Sequence, residues 1–295
     1  MSDPANTYVT SHFSFGEPCE LMDGRRVRMS EIFNVHSGLD FRPLFHHADM
    51  PPAFAEDFLA RGGQPKLGGY EMLSCIECAQ CIPVRVRVQE FEVHHEHKRV
   101  LGRNADLTMT TVEGVPDLGR FGNPQINLLM TKHSALYRRY MVSRFFNGKA
   151  RRFSALDAII SLHGACTFPG MEPMHIDART RRGRLVGSVL FHVAGQSAYG
   201  TVFFHDPERR TTSLGQALML ATLAHLKARG TQYYYLAHWT RHASAYSWKD
   251  KFTPLDALID GTWQPVPDKA TVRRLRSEGP AYPALRKPSS EPRQP

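Results

Sequence analysis

Residues 184–237, RLVGSVLFHVAGQSAYGTVFFHDPERRTTSLGQALMLATLAHLKARGTQYYYLA, decide the fold. Arg184–Val193 and Ala198–Phe204 are apolar runs rich in β-branched and aromatic residues, and the turn-forming Ala-Gly-Gln-Ser between them predicts a hairpin. A helix is expected from Leu214 to about Ala228, capped by Ser213 or Thr212 and ended by Gly230. Gln232–Ala237 then reads as another strand. Upstream, Leu128, Leu129, Leu136, Tyr137, Tyr140, Met141 and Phe145 recur at helical spacing, predicting a long amphipathic helix from Gln125 to about Asn147 with Arg138 and Arg139 on its edge. The class is α+β, a mixed sheet flanked by helices.

Three of the five cysteines, Cys75, Cys78 and Cys81, lie within seven residues as C-x2-C-x2-C. That spacing lets sulfurs converge on a zinc ion or one face of an iron-sulfur cluster, and both take four ligands. Cys19 and Cys166 are the candidates for the fourth. Five cysteines in 295 residues are too sparse for a disulfide framework and leave an odd one over. The bland alternative is a loop of reduced, half-buried thiols. From Pro83 to Val88 the valines take one face and Arg85 and Arg87 the other, the period-two pattern of a half-buried strand.

No apolar run approaches the roughly 20 residues that span a bilayer, and the polar N-terminus is unlike a signal peptide, so a cytoplasmic location is expected. An apolar content of 42% is ample for a core. Three segments are expected: a Cys-rich region at 1–124, a domain built on the strand, strand, helix, strand core at 125–265 and a basic, Pro-rich, disordered tail at 266–295. A formal net charge of +9 suggests a polyanionic partner. The charge is clustered: Arg85, Arg87, Lys98, Arg99 and Arg103 form one group, Arg138, Arg139, Arg144, Lys149, Arg151 and Arg152 a second, and Arg179, Arg181, Arg182 and Arg184 a third. Solvated faces explain any one cluster; three together favour RNA over DNA or a membrane.

The strand, strand, helix, strand order resembles the acyl-transferring core of the Gcn5-related acetyltransferases. That fold usually seats coenzyme A pyrophosphate on a glycine-rich turn before the helix. His205–Gly215 holds one glycine there among acids and bases, which speaks for a different acyl donor. Separated blocks then resemble the arginyl- and leucyl-tRNA protein transferases. They are the cysteine triplet running into Pro83-Val-Arg-Val-Arg87, Phe91, Arg99-Val-Leu-Gly-Arg-Asn-Ala-Asp-Leu107, Tyr137-Arg-Arg-Tyr140 and Leu185-Val-Gly187. Phe203-Phe-His-Asp-Pro207, Ser213-Leu-Gly215, Tyr235-Leu236 with Trp239, and Lys249-Asp-Lys-Phe-Thr-Pro254 continue the set, which spans most of residues 19–264.

The resemblance implies an enzyme of N-degron tagging. Its co-substrate would be an aminoacyl-tRNA, and its acceptor a protein or peptide with a free N-terminus, acidic ones included. An aminoacyl ester is already activated, so positioning the acceptor amine supplies most of the rate. In this reading Asp206 and the Tyr235–Lys249 segment line the cleft. Asp206 would bind the attacking ammonium or the donor's α-amino group, or merely start a turn before Pro207; Lys249 would meet tRNA phosphate or an acidic acceptor side chain, or be a surface lysine. Arg85, Arg87, Arg99, Arg103, Ser213, Gly215, Tyr235 and Trp239 are the expected tRNA or acceptor contacts, while Asn104 and Asp106 look structural. The family-like position of Cys19 makes Cys19, Cys75, Cys78 and Cys81 the implied metal set.

This chain departs from the family where Cys19-Glu-Leu-Met-Asp-Gly-Arg25 lacks the usual aromatic and both prolines, and again at Leu236-Ala-His-Trp239 and Tyr246-Ser-Trp-Lys249. The acceptor and the transferred amino acid stay open on sequence alone. Two other classes compete: a coenzyme A-dependent or small-molecule Gcn5-related acyltransferase, and a non-catalytic, metal-stabilised RNA-binding protein.

Overall fold

A computed structural model describes residues 19–20, 26–27, 52–66, 69–71, 81–116, 130–266 and 271, with short breaks at 147, 150, 152, 167, 169, 241–243 and 260. In chain order its elements are β1 (Cys19–Glu20), β2 (Arg26–Val27), α1 (Pro52–Ala60), β3 (Gln64–Lys66), β4 (Gly69–Glu71), β5 (Cys81–Arg87), α2 (His95–Arg103) and β6 (Leu107–Glu113). They continue with α3 (Lys132–Phe145), α4 (Ala155–Gly164), β7 (Glu172–Thr180), β8 (Leu185–Ala194), β9 (Ser197–His205), the 3-10 helix η1 (Pro207–Thr212) and α5 (Leu214–Ala228). β10 (Tyr233–Thr240), the 3-10 helix η2 (Ser244–Lys251), β11 (Leu255–Ile259) and β12 (Thr262–Val266) complete the set.

One eight-stranded sheet, ordered β12-β11-β5-β10-β9-β8-β7-β6, organises the chain. Every adjacent pair is antiparallel except β9 and β10, which α5 joins as a crossover. The hairpin forms as expected, β8 turning into β9 through Gly195 and Gln196, with Gly195 at φ +55. β8 is buried along its whole length because both sheet faces are covered. On one face α5 closes the main core with Ile82, Val84, Val86, Met174, Ile176, Val189, Phe191 and Tyr234. On the other, α3 and α4 bury Leu136, Tyr137, Phe153, Leu162, Cys166, Leu190 and Phe204. α1 packs Ala55 and Leu59 against Tyr199 and Tyr235.

One helix start and one helix cap differ from expectation. The upstream helix begins at Lys132 rather than Gln125, because Thr131 is extended and its hydroxyl accepts from Ser134 N while Ser134 Oγ accepts from Thr131 N, a reciprocal cap that ends the helix there. Residues 117–129 lie outside the described residues. α5 begins and ends as expected, with Gly230 at φ +83 just past its end, but neither Ser213 nor Thr212 caps it through a side chain. Ser213 instead takes a left-handed conformation that links η1 to α5, and the Thr212 hydroxyl donates to Arg209 O. The 266–295 tail, Val266 and Thr271 apart, lies outside the described residues. Among the described residues no helix is long and apolar enough to cross a membrane.

Where β9 and β10 meet, the backbone is pressed close. A Cβ built on Gly200 would lie 2.6 Å from the hydroxyl of Tyr234, a fully buried side chain whose oxygen finds no hydrogen-bond partner among the described residues. Gly200→Ala is therefore expected to cost about 1–3 kcal/mol by overpacking. Adding Tyr234→Phe should recover part of that loss, since it removes both the clashing atom and an unsatisfied hydroxyl. Chemical denaturation of the single and double variants measures this, and a Gly200→Ala chain as stable as the parent would refute the close packing.

Candidate functional site

β9 and β10 pair over only three positions, Tyr233 with Ser197, Tyr234 with Ala198 and Tyr235 with Tyr199. Beyond them the strands separate and β10 continues alongside β5 as far as Thr240 and Cys81. A one-residue bulge between Tyr235 and His238, with Ala237 left-handed at φ +57, accompanies the departure. Pro83 of β5 lies opposite it, where the ladder is already interrupted and a missing N–H costs little. The result is a wedge between the two strands, opening away from Tyr234 and Gly200.

η2 returns across this wedge. Trp248 packs edge-on against Phe203 of β9, with ring centroids 4.8 Å apart. The neighbouring Lys249 is buried and its Nζ donates to the backbone carbonyl of His238. Lys249 is thus not the surface lysine of the bland reading: its ammonium ties η2 to β10.

The far end of β9 runs into η1. Asp206 is buried and receives hydrogen bonds from Arg139 Nη2 at 2.8 Å and Arg184 Nη2 at 3.1 Å, one on each carboxylate oxygen. Oδ1 also accepts from Glu208 N at 3.2 Å, capping η1. The two arginine side chains remain 52% and 60% exposed, so one buried carboxylate holds two guanidiniums at the surface. Beside them the end of α2 clamps the turn into α5. Asn104 Nδ2 donates to Thr212 O at 2.8 Å, Asp106 accepts from both Arg209 terminal nitrogens, and Arg103 Nη2 reaches Ser213 Oγ at 3.5 Å. Arg99 and Arg210 are exposed nearby in sequence, on α2 and η1.

Residues 132–259, which run from α3 to β11 and include β9, β10 and η2, match the sequence model of the family described as arginine-tRNA-protein transferase, C terminus. A protein of Gluconacetobacter diazotrophicus called aspartate/glutamate leucyltransferase is 29% identical over 71% of this chain and 74% of its own length. One of the same description from Acinetobacter baumannii is 28% identical over 83% of this chain and 80% of its own. Over these spans the chain is similar to the aminoacyl-tRNA protein transferases. Among solved structures, L-PGS from Bacillus licheniformis has a TM-score of 0.36 at 8% identity, covering 55% of this chain and 46% of that one. A GCN5-related glucosamine N-acetyltransferase region of a fungal enzyme has a TM-score of 0.32 at 12% identity, covering 63% of this chain and 20% of that one.

Most of the residues singled out by sequence fall into two groups. Asp206, Arg103, Ser213 and Gly215 lie along the η1–α5 turn, with Arg99 one helical turn before Arg103. Arg85, Arg87 and Tyr235 lie together on the opposite arm of the sheet. The two arginines do share a face, yet both pair with one carboxylate: Arg85 Nε donates to Asp256 of β11 at 3.1 Å, and Arg87 Nε stands 3.2 Å from it as an ion pair without hydrogen-bond geometry. Arg85 also donates to the Tyr235 hydroxyl at 3.2 Å and stacks 3.7 Å over the Tyr233 ring and 4.4 Å over Trp263. Trp239 packs in the main core. Cys166 is a buried thiol packed in the core beneath α3 and α4, and burial pushes its pKa up to about 12. Cys75 and Cys78 lie outside the described residues, as do the side chains of Cys19 and Cys81.

Sequence reading missed the partners. Arg139 and Arg184 were visible only as members of charge clusters, and nothing local tied either to Asp206. Asp256 carried a weak signal, a lone acid in the apolar run Leu255–Ile259 that a period-two reading would have set on one strand face.

Proposed function

We propose that this transferase moves leucine from leucyl-tRNA onto the N-terminal amine of a protein or peptide beginning with aspartate or glutamate, on a Gcn5-type acyl-transfer core. What carries the reading is the family match over the segments that form the wedge, joined to the exposed guanidiniums held by Asp206 at its rim. The relatives' description as aspartate/glutamate leucyltransferases supports the choice of donor and acceptor.

The acceptor nitrogen attacks the ester carbonyl carbon, a C–N bond forms, the C–O bond to the ribose breaks, and the amine proton leaves for the departing ribose oxygen through solvent or a base. The protein's part is positioning. Arg139, Arg184, Arg99 and Arg103 would hold the phosphates of the acceptor stem, leaving the aminoacyl end to enter the wedge past Trp248 and the η2–β10 tie. Asp206 then acts by holding its two arginines. Where a coenzyme A enzyme has a glycine-rich turn, this chain has η1 beginning at Pro207, which favours a different donor. Cys19, Cys75, Cys78 and Cys81 are proposed to bind zinc or an iron-sulfur cluster, on their spacing and family-like positions.

The test supplies labelled leucyl-tRNA, arginyl-tRNA and acetyl-coenzyme A in turn to the full chain, with peptides beginning Asp, Glu, Lys or Ala. Leucine should appear on the Asp and Glu peptides. tRNA affinity should fall steeply with salt, less steeply in an Arg139→Gln, Arg184→Gln double variant. Transfer from acetyl-coenzyme A alone, or affinity indifferent to salt, would sink the proposal.

A further inference from the structure

Away from the wedge, His133, His175 and Asp177 come together beneath the first turn of α3. His133 is the second residue of that helix, held by the Thr131–Ser134 cap. His175 and Asp177 are two apart on β7 and so share one face of it. All three are buried, at 7%, 4% and 3% exposure, and ligand-capable atoms from each lie within 4.8 Å of one another.

We propose that these three residues form a binding site for one divalent first-row transition ion, zinc foremost, through His133 Nε2, His175 Nε2 and an Asp177 carboxylate oxygen. Two imidazoles with one carboxylate are a donor set such ions favour over magnesium or calcium. His133 Nε2 stands 2.9 Å from Asp177 Oδ1 in a direct hydrogen bond, and spreading the pair to about 3.4 Å would seat a tetrahedral ion with bonds of about 2.1 Å between them. The surroundings also fit. His175 Nδ1 lies 3.0 Å from the carbonyl oxygen of Gly114, a bond that puts the ring proton on Nδ1 and leaves Nε2 with its lone pair. Asp177 Oδ2 accepts from Arg179 Nη2 at 2.7 Å and lies 3.1 Å from His133 Nε2, so the arginine holds the carboxylate turned toward His133.

The place of the cluster suggests its use. β7 is one strand in from the end of the sheet, and β6 beyond it exposes Thr110 and Val112, the residues paired with Asp177 and His175, so an ion can reach the cluster from that edge. Bound there, it would pin α3 to β7 and so fix the helix that carries Arg139 to Asp206. Its role is structural, and its test does not depend on the transfer reaction.

The experiment uses the full chain with Cys75, Cys78 and Cys81 replaced by serine, loaded with zinc, desalted and assayed for metal by mass spectrometry. About one zinc per chain should remain, and adding His175→Gln or Asp177→Asn should remove at least about nine-tenths of it. Should the triple variant fail to fold, the cysteine-intact chain serves. There, zinc should raise the melting temperature of the parent by more than that of His175→Gln. Cobalt should give ligand-field bands without sulfur charge transfer that vanish in the same variant. A folded triple variant free of zinc, or zinc content, melting response and cobalt spectrum all unmoved by His175→Gln, overturns the site.

Discussion

Asp256→Ala is expected to lower the stability of the folded chain by about 3–5 kcal/mol, the usual cost of leaving a buried ion without its partner. The reason is where Arg85 sits. The β5 register places it opposite Tyr235 on one side and Asp256 on the other, so its guanidinium is enclosed by Tyr233, Trp263 and the carboxylate. Its side chain is only 11% exposed, and Asp256 only 6%, so water cannot replace the lost oxygens. Arg87 is less affected because Glu90 also holds it, at 2.6 Å. Asp256→Asn should fall between parent and alanine variant, keeping acceptor geometry without charge. Urea denaturation of the three chains decides the matter. A loss below about 1 kcal/mol for Asp256→Ala would mean that Arg85 swings out to solvent and that the aromatic box does not confine it.

Asp206→Asn should reduce transfer efficiency at least about thirtyfold, corresponding to about 2 kcal/mol or more for a lost charge-paired contact. The asparagine keeps an oxygen for Glu208 N, so η1 retains its cap. What it loses is the charge that gathers Arg139 and Arg184. Because those arginines are more than half exposed, the penalty should fall more on their presentation than on folding. Accordingly KM for aminoacyl-tRNA should rise more than kcat falls, and the melting temperature should drop only modestly. Arg139→Gln and Arg184→Gln should each reproduce part of the KM effect. If Asp206→Asn transfers normally, or fails only in proportion to the fraction unfolded, Asp206 shapes the turn and nothing more.

Much of this molecule is written locally. The β8–β9 hairpin follows from two apolar runs around a Gly-containing turn, the end of α5 from Gly230, and the common face of Arg85 and Arg87 from strict alternation with valines. Each depends on residues a few positions apart, where strand period, helix period and backbone freedom act directly. The C-x2-C-x2-C spacing is legible for the same reason. What the arginine face would meet is not local. Arg85 finds Asp256 across 171 positions and Asp206 gathers Arg139 across 67, pairings that exist only once β5 slots between β10 and β11 and α3 lies over β8 and β9. The burial of Lys249 and Trp239, the parting of β9 from β10 and the meeting of His133 with Asp177 are of the same kind. A sequence pattern fixes which side of an element a residue takes; only the packing of elements fixes what stands opposite it, because contact energies between distant segments choose the register and leave no period in the chain.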